Sequence, residues 1–241
     1  MKTVAGAPAT RDASLQLQAE FDRWRAGRDS LRVLEAGCGS TTRLDLGPQA
    51  YLTGLDISPS QLARNSSVHE RIVGDLQFFP IPQGAFDVAV CWDVLEHLDQ
   101  PAAAVRNMAR ALRPGGVLVL AVPNLWSIKG IVTKLTPFGL HVAFYRHALG
   151  DRSVGTDASD QFPTCLRLDV APPRLRALAR ELGLRARFEA IYEGPVQAEL
   201  RRRSRMANAL FAVAGMLSRL ATGRRLDLTG SDYLLVLERP A

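Results

Sequence analysis

The stretch Val33-Leu-Glu-Ala-Gly-Cys-Gly-Ser40 joins a short apolar segment to an acid and to two glycines that are one residue apart. Residues 31–36 have the length and apolar content of a buried strand, and the glycines follow directly. Glycines at a strand end allow a tight turn and let a ligand approach the backbone with no Cβ in the way. Open α/β sheets bind ligands at this edge, beyond the carboxyl ends of the strands. The stretch therefore predicts a strand, a ligand-binding turn and a following helix.

A second strand is predicted over residues 51–57, and it places Asp56 at its end, 17 residues after Gly39. At that place a carboxylate can accept hydrogen bonds from both hydroxyls of a ribose. Ser58 and Pro59 then predict a helix start, with Ser58 as the N-cap and Pro59 at the first helical position. The two strand ends together indicate a site for a nucleoside.

The charge at the turn distinguishes two kinds of nucleoside. A dinucleotide site needs a third glycine, which would fall at position 42, where the chain has Thr42. Glu35 precedes the first glycine, and a carboxylate there disfavours a pyrophosphate and favours a cation. S-adenosylmethionine carries a sulfonium and an ammonium group and no phosphate, so the pattern favours this cofactor. The alternative is a glycine turn that serves only the fold.

The rest of the chain alternates short apolar strands with helices, which predicts an α/β, doubly wound sheet. Further strands are predicted at 71–75, 86–91, 117–122, 184–191 and 233–238. A helix is predicted from Asp93 or Pro101 to Leu112, where the stretch Arg113-Pro-Gly-Gly116 is typical of a turn. We expect a single domain over residues 1–241 with an N-terminal helical segment over 1–30.

Five stretches, in this order and spacing, resemble the class I S-adenosylmethionine-dependent methyltransferases. They are Val33–Ser40, Gly54-Leu-Asp-Ile-Ser58, Gly74-Asp-Leu76, Phe86-Asp-Val-Ala-Val-Cys-Trp-Asp-Val-Leu-Glu-His-Leu98 and Leu112-Arg-Pro-Gly-Gly-Val-Leu118. The chain is most similar to the small-molecule branch that includes the ubiquinone-biosynthesis type O-methyltransferases. The resemblance covers residues 30–123 well and 170–190 loosely, and it departs at Thr41, where many members have a third glycine.

This resemblance implies a Rossmann-like seven-stranded sheet with an antiparallel last strand and a lid insertion after strand five, over residues 124–170. It also implies a set of cofactor-binding residues: Glu35 at the ammonium group, Gly37 and Gly39 under the methionine part, Asp56 on the ribose, Asp75 and Leu76 on the adenine, and Cys91 and Trp92 on the methionine side. Three of these residues have alternatives. Asp56 also fits a plain acid at the entry of a helix. Asp75 also fits a turn residue, and Cys91 also fits a buried core residue.

The sequence offers three histidines as catalytic bases. His97 follows strand four, whereas His141 and His147 lie in the insertion, and each also fits a packing or surface role. If a helix starts near Asp93, then Asp93, Glu96 and His97 share one face and suit a divalent cation. Structural or cofactor-contacting roles for these three residues are favoured, and we predict no metal site.

The predicted reaction is methyl transfer to a small acceptor. The insertion, over residues 125–147, is apolar, aromatic and basic, which suits a hydrophobic acceptor with an anionic group near Lys129 or Arg146. A small satellite core is the alternative interpretation. Transfer to oxygen is favoured because it is frequent in this branch. Transfer to nitrogen or carbon, and a non-catalytic adenosylmethionine-binding protein, are the alternatives.

The net charge of +6 is concentrated in one segment. Seven arginines against one acid lie between residues 199 and 225, so the remainder of the chain is about neutral. Such a local excess argues against a nucleic-acid substrate, because a nucleic-acid enzyme more often spreads basic residues around its active-site face.

The basic segment predicts a surface contact. Residues 197–225 are predicted to form a basic amphipathic helix that packs on the sheet, forms a homodimer contact, or makes a peripheral contact with an anionic membrane. The first ten residues do not resemble a signal peptide, and the cysteines (Cys38, Cys91 and Cys165) are too few for a disulfide framework. A cytoplasmic protein is expected.

Overall fold

A computed structural model describes residues 10–40, 42–128, 130–131, 167–222 and 228–241. Most of the predicted lid over residues 124–170 lies outside these ranges, and so do His141 and His147. The elements, in chain order, are α1 (Thr10–Arg25), β1 (Leu31–Ala36), β2 (Ala50–Asp56), α2 (Pro59–Arg64), β3 (Glu70–Val73), β4 (Phe86–Trp92), α3 (Pro101–Ala111), β5 (Leu112–Pro123), α4 (Pro172–Glu181), β6 (Arg185–Tyr192), α5 (Pro195–Arg203), α6 (Arg205–Thr222) and β7 (Asp232–Glu238).

The strands form one seven-stranded sheet in the order β3-β2-β1-β4-β5-β7-β6. The first five strands pair in parallel, and β7 lies antiparallel between β5 and β6. In the β1–β2 pair Glu35 lies opposite Gly54, so the two motif-bearing strands end side by side. The predicted doubly wound sheet with an antiparallel last strand is confirmed.

Two hydrophobic clusters cover the two faces of the sheet. Side chains of a strand alternate between faces, so Leu34 of β1 joins one cluster and Val33 joins the other. The Leu34 cluster includes residues of α3 and α4, and the Val33 cluster includes residues of α1. On α1 the predicted helical spacing of Leu17, Phe21 and Trp24 is confirmed, because all three are buried against the sheet.

Of the two predicted starts of the α3 helix, Pro101 is confirmed and Asp93 is not, because Asp93 has a φ of 55° and is followed by a short 3-10 turn, Leu95–His97. Two other predicted boundaries are wrong. The Arg113-Pro-Gly-Gly116 stretch lies inside β5 as an irregularity, where the Gly115 amide donates to the Arg239 carbonyl at 2.7 Å.

The predicted helix over residues 197–225 is divided into α5 and α6 at Ser204. Ser204 has extended backbone angles, and its hydroxyl oxygen accepts from the Ala207 amide at 3.1 Å, so it acts as the N-cap of α6. Among the described helices, none combines the length and hydropathy that a membrane-spanning segment requires.

Candidate functional site

The glycine turn lies at the carboxyl edge of the sheet, directly after β1. Gly37 and Gly39 have φ angles of 70° and 50°, in the left-handed region that favours glycine. The Gly37 amide donates to the Leu55 carbonyl of β2 at 2.7 Å. The turn is therefore held against the end of the neighbouring strand.

Asp56 connects the glycine turn to the start of α2. Its Oδ2 accepts from the Gly39 amide at 2.9 Å, and its Oδ1 accepts from the Ser58 amide at 2.8 Å. The predicted capping of α2 is confirmed, with Ser58 as N-cap and Pro59 at the first position. A carboxylate has about four lone-pair sites. Asp56 therefore keeps acceptor capacity for a ligand after holding both amides.

Asn65, which the sequence did not indicate as a site residue, stabilises the glycine turn through hydrogen bonds. It is fully buried, and its Nδ2 lies 3.4 Å from the carbonyl oxygens of Cys38 and Gly39. Arg71 in turn donates to the Asn65 carbonyl at 2.6 Å. No local pattern predicts these bonds, because Asn65 follows Gly39 by 26 residues.

Glu35 is buried beside the turn with only 3% of its surface exposed. The Thr42 hydroxyl donates to its Oε2 at 2.9 Å, and within the described residues Oε1 has no hydrogen-bond partner. Burial raises the pKa of this carboxyl to about 7, and the Thr42 hydrogen bond opposes that rise. Buried polar atoms normally have partners. The free Oε1 therefore indicates a place for a donor or a cation from a ligand.

The ends of β2 and β3 present both apolar and acidic side chains. Ile57 is 67% exposed directly after Asp56, and an exposed apolar residue beside a polar site suits the flat face of a base. Asp75 is half-buried and accepts from the amide and the side chain of Gln77 at 2.9 and 3.0 Å. Asp75 therefore acts as a turn residue, as the alternative interpretation predicted, and Gln77 also orients its carboxylate. The Leu76 side chain is buried, and its carbonyl accepts from Asn107 at 2.9 Å.

The end of β4 sends successive side chains to opposite faces of the sheet. Cys91 is fully buried in the Leu34 cluster, and burial raises the pKa of its thiol far above the usual range. Its side chain therefore fits the packing alternative. Trp92 is half-buried and packs against the Val33 cluster. Their predicted contacts with a cofactor stay predictions.

The histidine after β4 is not on an α-helix. His97 is half-buried and ends the 3-10 turn, so Asp93, Glu96 and His97 do not have the α-helical offsets on which the alternative metal site depended. Throughout the part of the chain that the structure describes, no group of three His, Cys, Asp or Glu side chains is arranged to hold a metal ion.

Polar side chains meet where β6 ends and β7 begins, at the same edge of the sheet. The Ser231 hydroxyl donates to Asp232 at 2.6 Å and accepts from the Gly194 amide at 2.7 Å. Tyr192 is buried nearby, and burial together with the charges of Asp232 and Asp93 raises the pKa of its phenol. Tyr192 therefore remains protonated, as a hydrogen-bond donor.

The space around Gly37 gives a first testable prediction. A Cβ at Gly37 would lie 2.4 Å from Val94 Cγ2, whereas a Cβ at Gly84, which has a similar φ of 62°, would meet nothing within 4 Å. Both Gly→Ala changes carry the left-handed strain of about 1–2 kcal/mol. We expect Gly37→Ala to lower the free energy of unfolding by about 1–3 kcal/mol more than Gly84→Ala, through the Val94 contact alone. Urea denaturation of both variants measures the difference, and equal losses would contradict the contact.

Comparison with known proteins identifies the family to which the chain belongs. Residues 10–164, more than half of the chain, match a family described as a methyltransferase domain. A probable S-adenosylmethionine-dependent methyltransferase of Mycolicibacterium smegmatis is 38% identical over 119 residues, which are 47% of this chain and 45% of that protein. The ubiquinone biosynthesis O-methyltransferase of Pseudomonas aeruginosa is 30% identical over 135 residues, covering 48% of this chain and 58% of that protein. The chain thus matches about half the length of these curated relatives.

Solved structures share the fold at low identity. A methyltransferase from Archaeoglobus fulgidus superimposes with a TM-score of 0.55 at 16% identity, covering 95% of each chain. The [4+2]-cyclase SpnF superimposes with a TM-score of 0.58 at 17% identity, covering 99% of this chain and 89% of the cyclase. The family match, the fold and the glycine turn with its acidic neighbours agree: the chain belongs to the methyltransferase domain family, which uses S-adenosylmethionine as cosubstrate.

Proposed function

We propose that this protein transfers the methyl group of S-adenosylmethionine to an oxygen atom of a small, hydrophobic acceptor. The observation that carries the proposal is the buried Glu35 carboxyl, whose Oε1 has no partner in the described chain, beside a glycine turn that Asp56 holds in place. A cationic, phosphate-free nucleoside satisfies both carboxyl groups.

The residues of this chain fit that cosubstrate from end to end. Glu35 receives the ammonium group, Gly37 and Gly39 allow the methionine part to lie against the backbone, and Asp56 accepts from the ribose hydroxyls. Ile57 offers an exposed apolar surface to the base, and the oriented Asp75 carboxylate accepts from its amino group. Bound S-adenosylmethionine supplies an activated methyl group on a sulfonium sulfur.

The segment that follows β5, where we propose that the acceptor binds, favours an apolar molecule. Trp126 and Ile131 follow β5 with 42% and 43% of their surfaces exposed, and the sequence beyond them is apolar and aromatic. Asn124 fixes the start of this segment, because its side chain donates to the Gly230 carbonyl at 2.8 Å. Oxygen as the target rests on the similarity to the ubiquinone biosynthesis O-methyltransferase of Pseudomonas aeruginosa.

An oxygen nucleophile must lose a proton. His97, in the 3-10 turn after β4, is our candidate base among the described residues. His141 and His147, in the insertion, remain candidates from the sequence alone.

Turnover with a panel of acceptors tests the proposal. The purified protein is incubated with S-adenosylmethionine and with hydroxylated aromatic acceptors that do or do not carry an apolar tail, and with matched amines. We expect adenosylhomocysteine and a methyl ether to form fastest with the tailed hydroxyl compounds. If methylated amines are the main product, the acceptor atom is nitrogen and the proposed transfer to oxygen is wrong.

A non-catalytic adenosylmethionine-binding protein is the second candidate, because the fold alone does not determine methyl transfer: a [4+2]-cyclase shares it. Calorimetry with adenosylhomocysteine distinguishes the two outcomes. Binding without turnover across the panel would favour a binding protein or another reaction, whereas absence of binding would contradict both candidates.

Chelation tests the prediction that no metal assists. We expect turnover to be unchanged after dialysis against EDTA, because the turn after β4 does not give Asp93, Glu96 and His97 a shared helical face. If EDTA abolishes turnover and magnesium restores it, this expectation is wrong, and these three residues become the candidate metal ligands.

A further inference from the structure

The α6 helix turns its bulky apolar side chains away from the protein. Six of them are between 50% and 74% exposed: Met206, Leu210, Val213, Met216, Leu217 and Leu220. At about 100° per residue these six positions fall within an arc of about 120° on one side of the helix. We call this surface the apolar face of α6.

The opposite side of α6 contacts the rest of the protein through smaller residues. Gly215 and Ser218 are buried there, and the Ser218 hydroxyl donates to the Gly215 carbonyl at 3.0 Å. Ala207, Phe211 and Ala214 lie along the same side and are half-buried. A surface helix of a globular protein normally buries its large apolar side chains and exposes polar ones. In α6 the packing side holds Phe211 and small residues, and the other large apolar side chains are exposed.

Arginines flank α6 in the sequence. Four precede or begin it, at positions 201, 202, 203 and 205, one lies within it at 219, and two follow it at 224 and 225. Glu199 forms ion pairs with Arg202 and Arg203 at 2.6 Å, and Glu193 pairs with Arg201 at 2.9 Å. Exposed pairs of this kind are weak, and the acids are fewer than the arginines, so the segment keeps its positive charge.

We propose that the apolar face of α6 docks on a membrane surface that contains anionic lipids. The face enters the boundary between headgroups and acyl chains, and the flanking arginines contact lipid phosphates. A second copy of the chain fits less well, because two such faces in contact would bring together the arginines that precede or begin α6 in each copy. The docking concerns where the protein works and does not depend on the methyl acceptor.

Vesicle flotation tests the docking without any measurement of activity. The full chain is mixed with vesicles of phosphatidylcholine alone, or of phosphatidylcholine with phosphatidylglycerol. We expect binding to the anionic vesicles only, with weakening as salt is added. Leu217→Glu should lower the partition coefficient at least about tenfold, since it removes an apolar side chain from the lipid. Leu15→Glu, the same change at an exposed position of α1, should reduce it far less.

The arginines are tested separately from the apolar side chains. Arg202→Gln and Arg203→Gln should each weaken binding by up to about fivefold. Equal binding to the two kinds of vesicle, no binding to either, or equal losses for Leu217→Glu and Leu15→Glu would overturn the proposal. A lipid-free dimer in sedimentation that Leu217→Glu dissociates would also overturn it and assign the face to a subunit contact.

Discussion

Asp56→Ala should lower the affinity for adenosylhomocysteine by about 10²–10⁴-fold. The reason is that the carboxylate is expected to accept from two ribose hydroxyls, and a hydrogen bond to a charged group contributes about 1.5–3 kcal/mol. Titration calorimetry of the variant and the unmodified protein at one pH and one salt concentration measures the loss.

The structure adds a second effect to this substitution. Asp56 also accepts from the Gly39 and Ser58 amides, so alanine leaves two backbone donors without their partner. We expect the ligand-free protein to lose about 2 kcal/mol of stability while it remains folded. Asp56→Asn keeps the size of the side chain and one acceptor oxygen, so it should lose less stability and still bind the nucleoside weakly.

Asp45→Ala is the matched control for the loss of binding. Asp45 is an exposed carboxylate in the connection between β1 and β2, which also contains the glycine turn, and its Oδ1 accepts from the Gly47 amide at 3.0 Å, so it too supports a local turn. This variant should bind adenosylhomocysteine as the unmodified protein does. If Asp56→Ala and Asp56→Asn both bind with unchanged affinity, Asp56 serves only the fold and the ribose role is wrong.

Features encoded in short stretches of sequence were the most predictable. The Glu35-x-Gly-x-Gly39 turn, the acid that ends β2 and the Ser58 cap each depend on residues a few positions apart, and the structure places them as expected. The antiparallel last strand follows from the family resemblance, whereas the sheet order was not predicted, because alternating strands and helices alone do not determine which strands are neighbours.

Contacts between distant residues were not predictable from the sequence. The bond from Asn65 to Gly39 depends on how α2 packs against the turn, and the bond from Thr42 to Glu35 depends on the path of the chain after the turn. The direction of the apolar face of α6 was also left open, among packing on the sheet, a homodimer contact and a membrane contact, although an apolar stripe normally predicts a buried face in a soluble helix. The sequence pattern shows which residues share a face and does not show which face turns to solvent.

Glu35→Gln should make the ligand-free protein more stable at pH 8 and should weaken its binding of the cosubstrate. Burial raises the pKa of this carboxyl from 4.5 to about 7, so the folded protein retains a proton that the unfolded chain has lost between these values. Stability therefore falls as pH rises from about 4.5 to about 7, by up to about 3 kcal/mol in all, and then levels off. Glutamine carries no charge, so the stability of the Glu35→Gln variant should not decline over this pH range.

Binding should change in the opposite direction, because an ammonium group favours the ionised carboxylate. Between pH 6 and pH 7 the affinity of the unmodified protein for adenosylhomocysteine should rise by about fivefold, while that of Glu35→Gln should be low and flat. Denaturation and calorimetry over the same pH series measure both effects. If Glu35→Gln is less stable at pH 8 than the unmodified protein, the Glu35 carboxylate is ionised and paired even without ligand. In the proposed account, the energy needed to keep this charge buried is recovered when the cation arrives, so the same residue weakens the empty fold and selects the ligand.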